Sequence, residues 1–376
     1  MQSDPALLTL LDRAREEVPG VEIYDAHTHL GDKDPDGFRC TGPELLELLG
    51  RADARGVVFP MHEPDGYPPA NDMVIAEAEA SDGRLVPFCR LDPEDGPLAE
   101  AERALDAGAR GIKLHPRAER FALDHPALRD VFALADERRL PVLVHAGRGI
   151  PALGRHSVEA TGRHPGMRLI LAHAGISDLS WIWQEAPSHP NLFFDTSWWA
   201  PTDLQGLLAL VPPGQVLFAS DAPYGATAMS ATWAIRHALQ VGLTPDQVRS
   251  VMGGQLTRLL DGEDPIDAGP ARGPAPLPTD PLLDRAHTFL VASLGQGFVG
   301  HEPAETLALA RLACDVGDGV PHAEVFRWID WLIENRALYD PGGPERPARF
   351  ASGLPLIVLA SVLARTPDVP LPPLPD

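Results

Sequence analysis

Val21-Glu22-Ile23-Tyr24-Asp25-Ala26-His27-Thr28-His29-Leu30 puts a His-x-His pair directly behind a β-rich run. Residues 21–24 have the composition of a first strand, and period-two alternation predicts Asp25, His27 and His29 on one face at its C-terminal end. Two imidazoles on one face can share a metal ion. A His-x-His is also a common pair of polar loop residues, so the other strand ends must decide.

Seven more β-branched or apolar runs follow, each trailed by a helix-like stretch. With 21–26 they are 56–60, 85–89, 109–114, 141–145, 168–173, 192–196 and 215–220. Helix starts are recognisable between them: Thr41-Gly42-Pro43-Glu44 opens 45–54, Asp124-His125-Pro126 opens 127–138, and Pro201-Thr202-Asp203 opens 204–210. Eight strand-helix units predict an α/β fold, a (β/α)8 TIM barrel, whose buried parallel strands account for apolar runs without clean alternation. An open doubly wound sheet is the competing fold, but no G-x-G-x-x-G follows the first run.

The barrel is expected over 1–262, a Pro/Gly-rich linker over 263–281 and a small all-helical C-terminal domain over 282–376. In that last part 281–294, 304–316, 321–337 and 354–365 have helical periodicity. The apolar arc of 325–333 reads as domain core or dimer contact, so the barrel or these helices offer a surface for a homo-oligomer. The tail Pro370-Leu371-Pro372-Pro373-Leu374-Pro375 is expected to be extended and mobile.

With 31 basic and 53 acidic residues the net charge is 31 − 53 = −22, and no Lys/Arg block stands out, which argues against nucleic acid or an anionic membrane surface. The longest apolar run, 354–364, is well short of the ~20 residues that span a bilayer. Three scattered cysteines without a Cys-x-x-Cys fit neither a disulfide framework nor a thiolate zinc site. The first residues lack the basic n-region of a signal peptide, so a cytoplasmic enzyme of a small molecule is the expectation.

In a barrel the polar groups closing each strand line the active site. Here they are His27 and His29 on the first strand, Arg90 on the third, and Lys113 and His115 on the fourth. His145 closes the fifth, His173 the sixth, Asp195 the seventh and Asp221 the eighth. Imidazoles from strands one, five and six facing a carboxylate from strand eight would desolvate one another unless a cation sat between them. A thiolate-free N/O set suits Zn2+, or Mn2+ or Fe2+, and an open position marks a catalytic site. Arg90 and Arg148 could grip a substrate carboxylate, although Asp92 could equally occupy Arg90. Trp198 could wall a planar substrate or pack at the rim; His115, His62 and Tyr224 are weaker candidates.

Asp25 to Leu30, His145, His173 and Ser220-Asp221-Ala222-Pro223 together resemble the amidohydrolase superfamily, in its amidohydrolase-related branch of decarboxylases and lactone hydrolases. The resemblance spans 23–260 and says nothing of the C-terminal helices. It implies His27, His29, His145 and Asp221 as metal ligands, with His173 as base or substrate-polarising residue and Asp221 also catalytic. Met252-Gly253-Gly254-Gln255-Leu256 departs from the Gly-Asn-Ala that relatives carry there, away from the site. Lys113 stands where binuclear relatives bridge two metals with a carboxylated lysine, His145 and His173 then serving the second ion. With one ion, the expectation adopted here, Lys113 stays an ammonium that binds substrate or pairs with Asp195.

A bound Zn2+ lowers the pKa of its water to about 7, giving a hydroxide that Asp221 can aim at an amide, ester or lactone carbonyl. Non-oxidative decarboxylation on the same site is the first alternative. A non-catalytic metal-binding barrel with an interaction role is the second.

Overall fold

β1 (Ile23–Leu30) is buried along its whole length, as a barrel strand covered on both faces must be. The computed structural model describes residues 3–338 and 353–375. The remaining strands are β2 (Ala54–Pro60), β3 (Leu85–Pro87), β4 (Cys89–Arg90), β5 (Ile112–Leu114), β6 (Pro141–Val144), β7 (Arg168–Leu171), β8 (Leu192–Asp195) and β9 (Val216–Leu217). β3 and β4 are one barrel strand interrupted at Phe88, so there are eight strand positions. All pairings are parallel. Phe88 N donates to Val58 O to join β2 to the third strand, while Ala26 N→Phe218 O and Asp221 N→His27 O close the circle between β9 and β1. The architecture is the predicted (β/α)8 barrel.

The helices of the barrel part are α1 (Ser3–Glu16), α2 (Gly42–Gly50), α3 (Pro68–Glu79), α4 (Pro97–Asp106), α5 (Leu128–Glu137), α6 (Leu153–Arg163), the short α7 (Leu179–Ile182), α8 (Pro201–Leu210), α9 (Thr227–Val241), α10 (Pro245–Arg249) and α11 (Gln255–Leu260). α2 begins where the sequence signals it: Thr41 N donates to the Glu44 carboxylate at 2.8 Å. It ends at Gly50 rather than running through Ala54, because Asp53 turns the chain at a φ of 44° and Ala54 already belongs to β2.

The barrel interior corrects the alternation expected in β1. Tyr24 and Ala26 pack inside with Val57, Phe59, Leu143, Ile170, Phe193 and Leu217. An irregularity in pairing with β2 between Asp25 and Thr28 inserts one residue in β1 and switches parity. His27 and His29 consequently take over the inward direction, while Asp25 faces the turn after β9. A strict alternation cannot show this, since a bulge has no composition of its own.

Beyond the barrel, α12 (Pro281–Phe298), α13 (Ala304–Cys314), α14 (Ala323–Glu334) and α15 (Leu354–Arg365) form a helical region. The 325–333 arc is its core: Val325, Phe326, Trp328, Ile329, Leu332 and Ile333 are buried, in one cluster with Met229 and Trp233 of α9 and Leu10 of α1. The tail after α15 is pinned rather than mobile. Arg236, a buried cation on α9, donates to Thr366 O, Val369 O and Pro370 O, and Trp328 Nε1 donates to Pro372 O at 3.0 Å. Carbonyls that end a helix need such donors, and here the barrel supplies them. Residues 263–280 carry no helix or strand, yet Gly273 N→Ala209 O and Ile266 N→Gln255 Oε1, both 2.8 Å, tie them to the barrel. Among the described residues no helix is long and apolar enough to cross a membrane.

Candidate active site

Three donor atoms converge at the C-terminal ends of the first and last strands. His27 Nε2 and His29 Nε2 are 3.1 Å apart, and Asp221 Oδ1 lies 3.1 Å from the first and 2.8 Å from the second. Among the described residues this is the one group of three or more His, Cys, Asp or Glu side chains spaced to hold a metal ion.

Two carboxylates that donate nothing to that group hold it in shape. Asp25 accepts Ser220 N at 2.9 Å, His27 N at 3.1 Å and Thr227 Oγ1 at 3.2 Å, and also the Ser220 hydroxyl. It thereby ties β1 to the turn carrying Asp221, whose backbone sits in the left-handed region at a φ of 60°. Asp195, ending β8, lies with Oδ2 2.8 Å from His27 Nδ1. Its Oδ1 accepts His173 N and Ser197 N, both at 2.9 Å, and Ser197 Oγ at 2.5 Å. A carboxylate only accepts, so His27 Nδ1 carries hydrogen and its Nε2 is the atom presented to Asp221 and His29.

The electrostatics ask for a cation. Burial and the Lys113 side chain push the His27 imidazole down, yet Asp221 and Asp195 more than reverse this and its pKa is raised. Burial opposes charge on Asp221 too, but His27 and His29 hold its carboxyl well below the usual range. His29, by contrast, is pushed down to about 3 by burial, and its Nδ1 has no partner among the described residues. A buried cluster that draws a proton onto one imidazole and keeps its carboxylate ionised suits a divalent ion on His27, His29 and Asp221.

His145 stands outside the three-donor group. Its Nδ1 lies 2.9 Å from His173 Nε2, and its ring stacks on His115 with centroids 3.9 Å apart. His173 Nδ1 donates to Ser197 O at 2.8 Å, which leaves Nε2 as acceptor from His145. His145 Nε2 is buried without a partner among the described residues. A Cβ on Gly147 would come within 2.5 Å of it, so a larger residue there would have to displace the His145 ring. Burial lowers the pKa of His115, His145 and His173 alike, so this row is neutral.

The cationic candidates sort differently from the sequence reading. Lys113 does not pair with Asp195, whose oxygens are taken. Its Nζ sits 4.5 Å above the Phe59 ring and 3.4 Å from His27 Nε2, and burial lowers its pKa to about 7. Arg90 pairs not with Asp92 but with Glu119, at 2.7 Å; Tyr67 OH donates to the same Glu119 oxygen at 2.5 Å. Asp92 instead accepts Glu94 N. Arg148 is at the exposed rim of the cavity, as is Arg117, and neither has a partner among the described residues. Trp198 lines the same space with its ring 6.3 Å from His173 and its indole N–H on Asp203. His62 and Tyr224 line it as well, and the whole cavity measures about 670 Å³.

The family model described as Amidohydrolase matches residues 24–260. The chain belongs to the amidohydrolase family. It is therefore an enzyme, built on a fold that hosts both hydrolases and decarboxylases. Solved structures with the same barrel include an uncharacterised TIM-barrel protein of Bordetella bronchiseptica (18% identity, TM-score 0.53) and a putative amidohydrolase of Staphylococcus aureus (15%, 0.53). A third is 5-carboxyvanillate decarboxylase of Sphingomonas paucimobilis (14%, 0.51). Each match covers 64% of this chain and 99% of the other. A search of curated proteins finds no match.

Sequence reading gave Asp25 no role and counted Asp195 among the strand-end groups, with pairing to Lys113 as its one stated part. Asp195 carried a signal, being the acidic close of Phe193-Phe194-Asp195. Glu119 carried none, since it lies on a turn after β5 with no motif around it.

Proposed function

We propose that the protein is a divalent-metal-dependent hydrolase of a small organic substrate, cleaving an amide, ester or lactone at its carbonyl, with one Zn2+ ion favoured over Mn2+ or Fe2+. The observation that carries this reading is the convergence of His27, His29 and Asp221 with His27 locked by Asp195. When bound, the ion would supply Lewis acidity, polarising a carbonyl and acidifying water. Asp221, kept ionised by its neighbours, is the proton acceptor beside the reacting group. His173, neutral with Nδ1 fixed on Ser197 O, lines the same cavity with a lone pair on Nε2, so that it can take up a proton from water or substrate once the His145 hydrogen bond shifts. Lys113 reaches the cluster from the barrel floor as a substrate-positioning group.

The unpartnered guanidiniums of Arg117 and Arg148 favour a second reading, non-oxidative decarboxylation, because they could hold a carboxylate at the rim. Metal analysis is expected to return one equivalent per chain. Two equivalents, with a carboxylated Lys113 joining His145 and His173, would replace the single-ion reading. Screening the loaded enzyme against esters, lactones and amides, and against aromatic and unsaturated acids for carbon dioxide release, separates the two reactions.

A further inference from the structure

Away from the strand ends the cavity changes character. Met229 and Trp233, one helical turn apart on α9, line one side. Phe298 of α12 and Leu354 and Val358 of α15 continue it. The family match ends at residue 260, so α12 and α15 lie outside it. Phe298 is still 40% exposed, although its ring lies 4.7 Å from Trp199, which is 5.7 Å from Trp198. The rings thus run from the C-terminal helices back to His173. Apolar surface facing an open cavity gains free energy from any apolar group that covers it. Among these residues the indole N–H of Trp233 is buried and without a partner among the described residues. A buried donor left unpaired is uncommon, and a ligand acceptor is one way to satisfy it.

We propose that α9, α12 and α15 form a second subsite that binds an apolar arm of the substrate, aryl or alkyl, carrying one hydrogen-bond acceptor for Trp233 Nε1. The inference rests on reading the His27–His29–Asp221 end as the reacting end. The C-terminal helices then select the substrate. The cavity, at about 670 Å³, is in the size range of ligand pockets, and its lining runs from His27, His29 and Asp221 to Phe298 and Val358.

The test is calorimetric titration of straight-chain carboxylates, acetate to octanoate, into the full-length protein with and without Zn2+. Affinity is expected to rise roughly threefold per methylene until the arm fills the wall. Phe298→Ser and Val358→Thr are expected to flatten that rise, with thermal melts confirming that both fold. An affinity that does not change with chain length, or a slope that survives both substitutions, would overturn the subsite. If the slope holds but Zn2+ adds no affinity for the shared carboxylate, the subsite stands and the metal reading fails. Phenoxyalkanoates compared with phenylalkanoates of equal length test the acceptor. At one spacer length the ether should bind about fivefold better, and Trp233→Phe should erase the preference. No preference at any length would remove Trp233 from the proposal.

Discussion

The two ends of the cavity are built by opposite means. At the strand ends, five side chains from four strands or the turns after them (His27, His29, His173, Asp195, Asp221) are held by hydrogen bonds of 2.8 to 3.1 Å to one another and to backbone. At the far end, Met229, Phe298 and Val358 are held by packing alone. The first kind of site is sensitive to single atoms, because each buried polar group depends on a partner. The second is sensitive to the docking of whole helices.

The largest expected difference between the ends comes from Asp221→Asn. It keeps the shape but removes the carboxylate that His27 and His29 share, so turnover should fall about a thousandfold or more while the thermal melt stays near wild type. Retained turnover would sink the mechanism. The counterpart at the far end is Arg236→Met. Arg236 is buried, its pKa lowered to about 9 by that burial, and its donors satisfy three carbonyls after α15. Losing them should cost about 3 kcal/mol in urea unfolding and leave metal content unchanged. Loss of metal in Arg236→Met would show that the two ends are not separable. A smaller effect at the strand ends is expected from Asp195→Asn. The amide can present its NH2 group to His27 Nδ1 and so favour the other tautomer, weakening metal affinity 10- to 100-fold in a chelator competition.

The same contrast explains what the sequence disclosed. The barrel and most of its polar set were legible because five of the eight strand positions end in a residue type whose chemistry is visible in isolation: His27, His29, Lys113, His145, His173, Asp221. Asp25 was misdirected because the bulge in β1 depends on its pairing with β2, and Glu119 was missed because Arg90 meets it only in three dimensions. Phe298, Leu354 and Val358 were illegible as pocket residues for a different reason. An apolar side chain facing a cavity looks like one facing a core, and nothing in the segments that carry them says they lean over the barrel mouth. The tail was read as mobile from its prolines, whereas its order comes from Arg236 and Trp328, which lie far from it in the chain.

His237 sharpens the comparison at the seam between the two ends, with the smallest effect at neutral pH. It follows Arg236 on α9, is buried, and both ring nitrogens lack a partner among the described residues. Burial, reinforced by the nearby Arg236, Arg365 and His287 charges, pushes its pKa down to about 3. In the unfolded chain the same imidazole would titrate near 6.5. Above that value both states are neutral and His237 adds no pH dependence. As pH falls below it, the unfolded state takes up a proton that the folded state refuses, and stability declines by about 1.4 kcal/mol per pH unit until the folded pKa is reached. His237→Phe removes this term and fills the site with an apolar ring. The loss of unfolding free energy between pH 7 and pH 5 should therefore shrink by about 2 kcal/mol in the variant, measured by urea titration at both values. An unchanged difference would mean that the imidazole is hydrated or already charged in the folded protein, and that the seam between α9 and the C-terminal helices is wetter than its packing indicates.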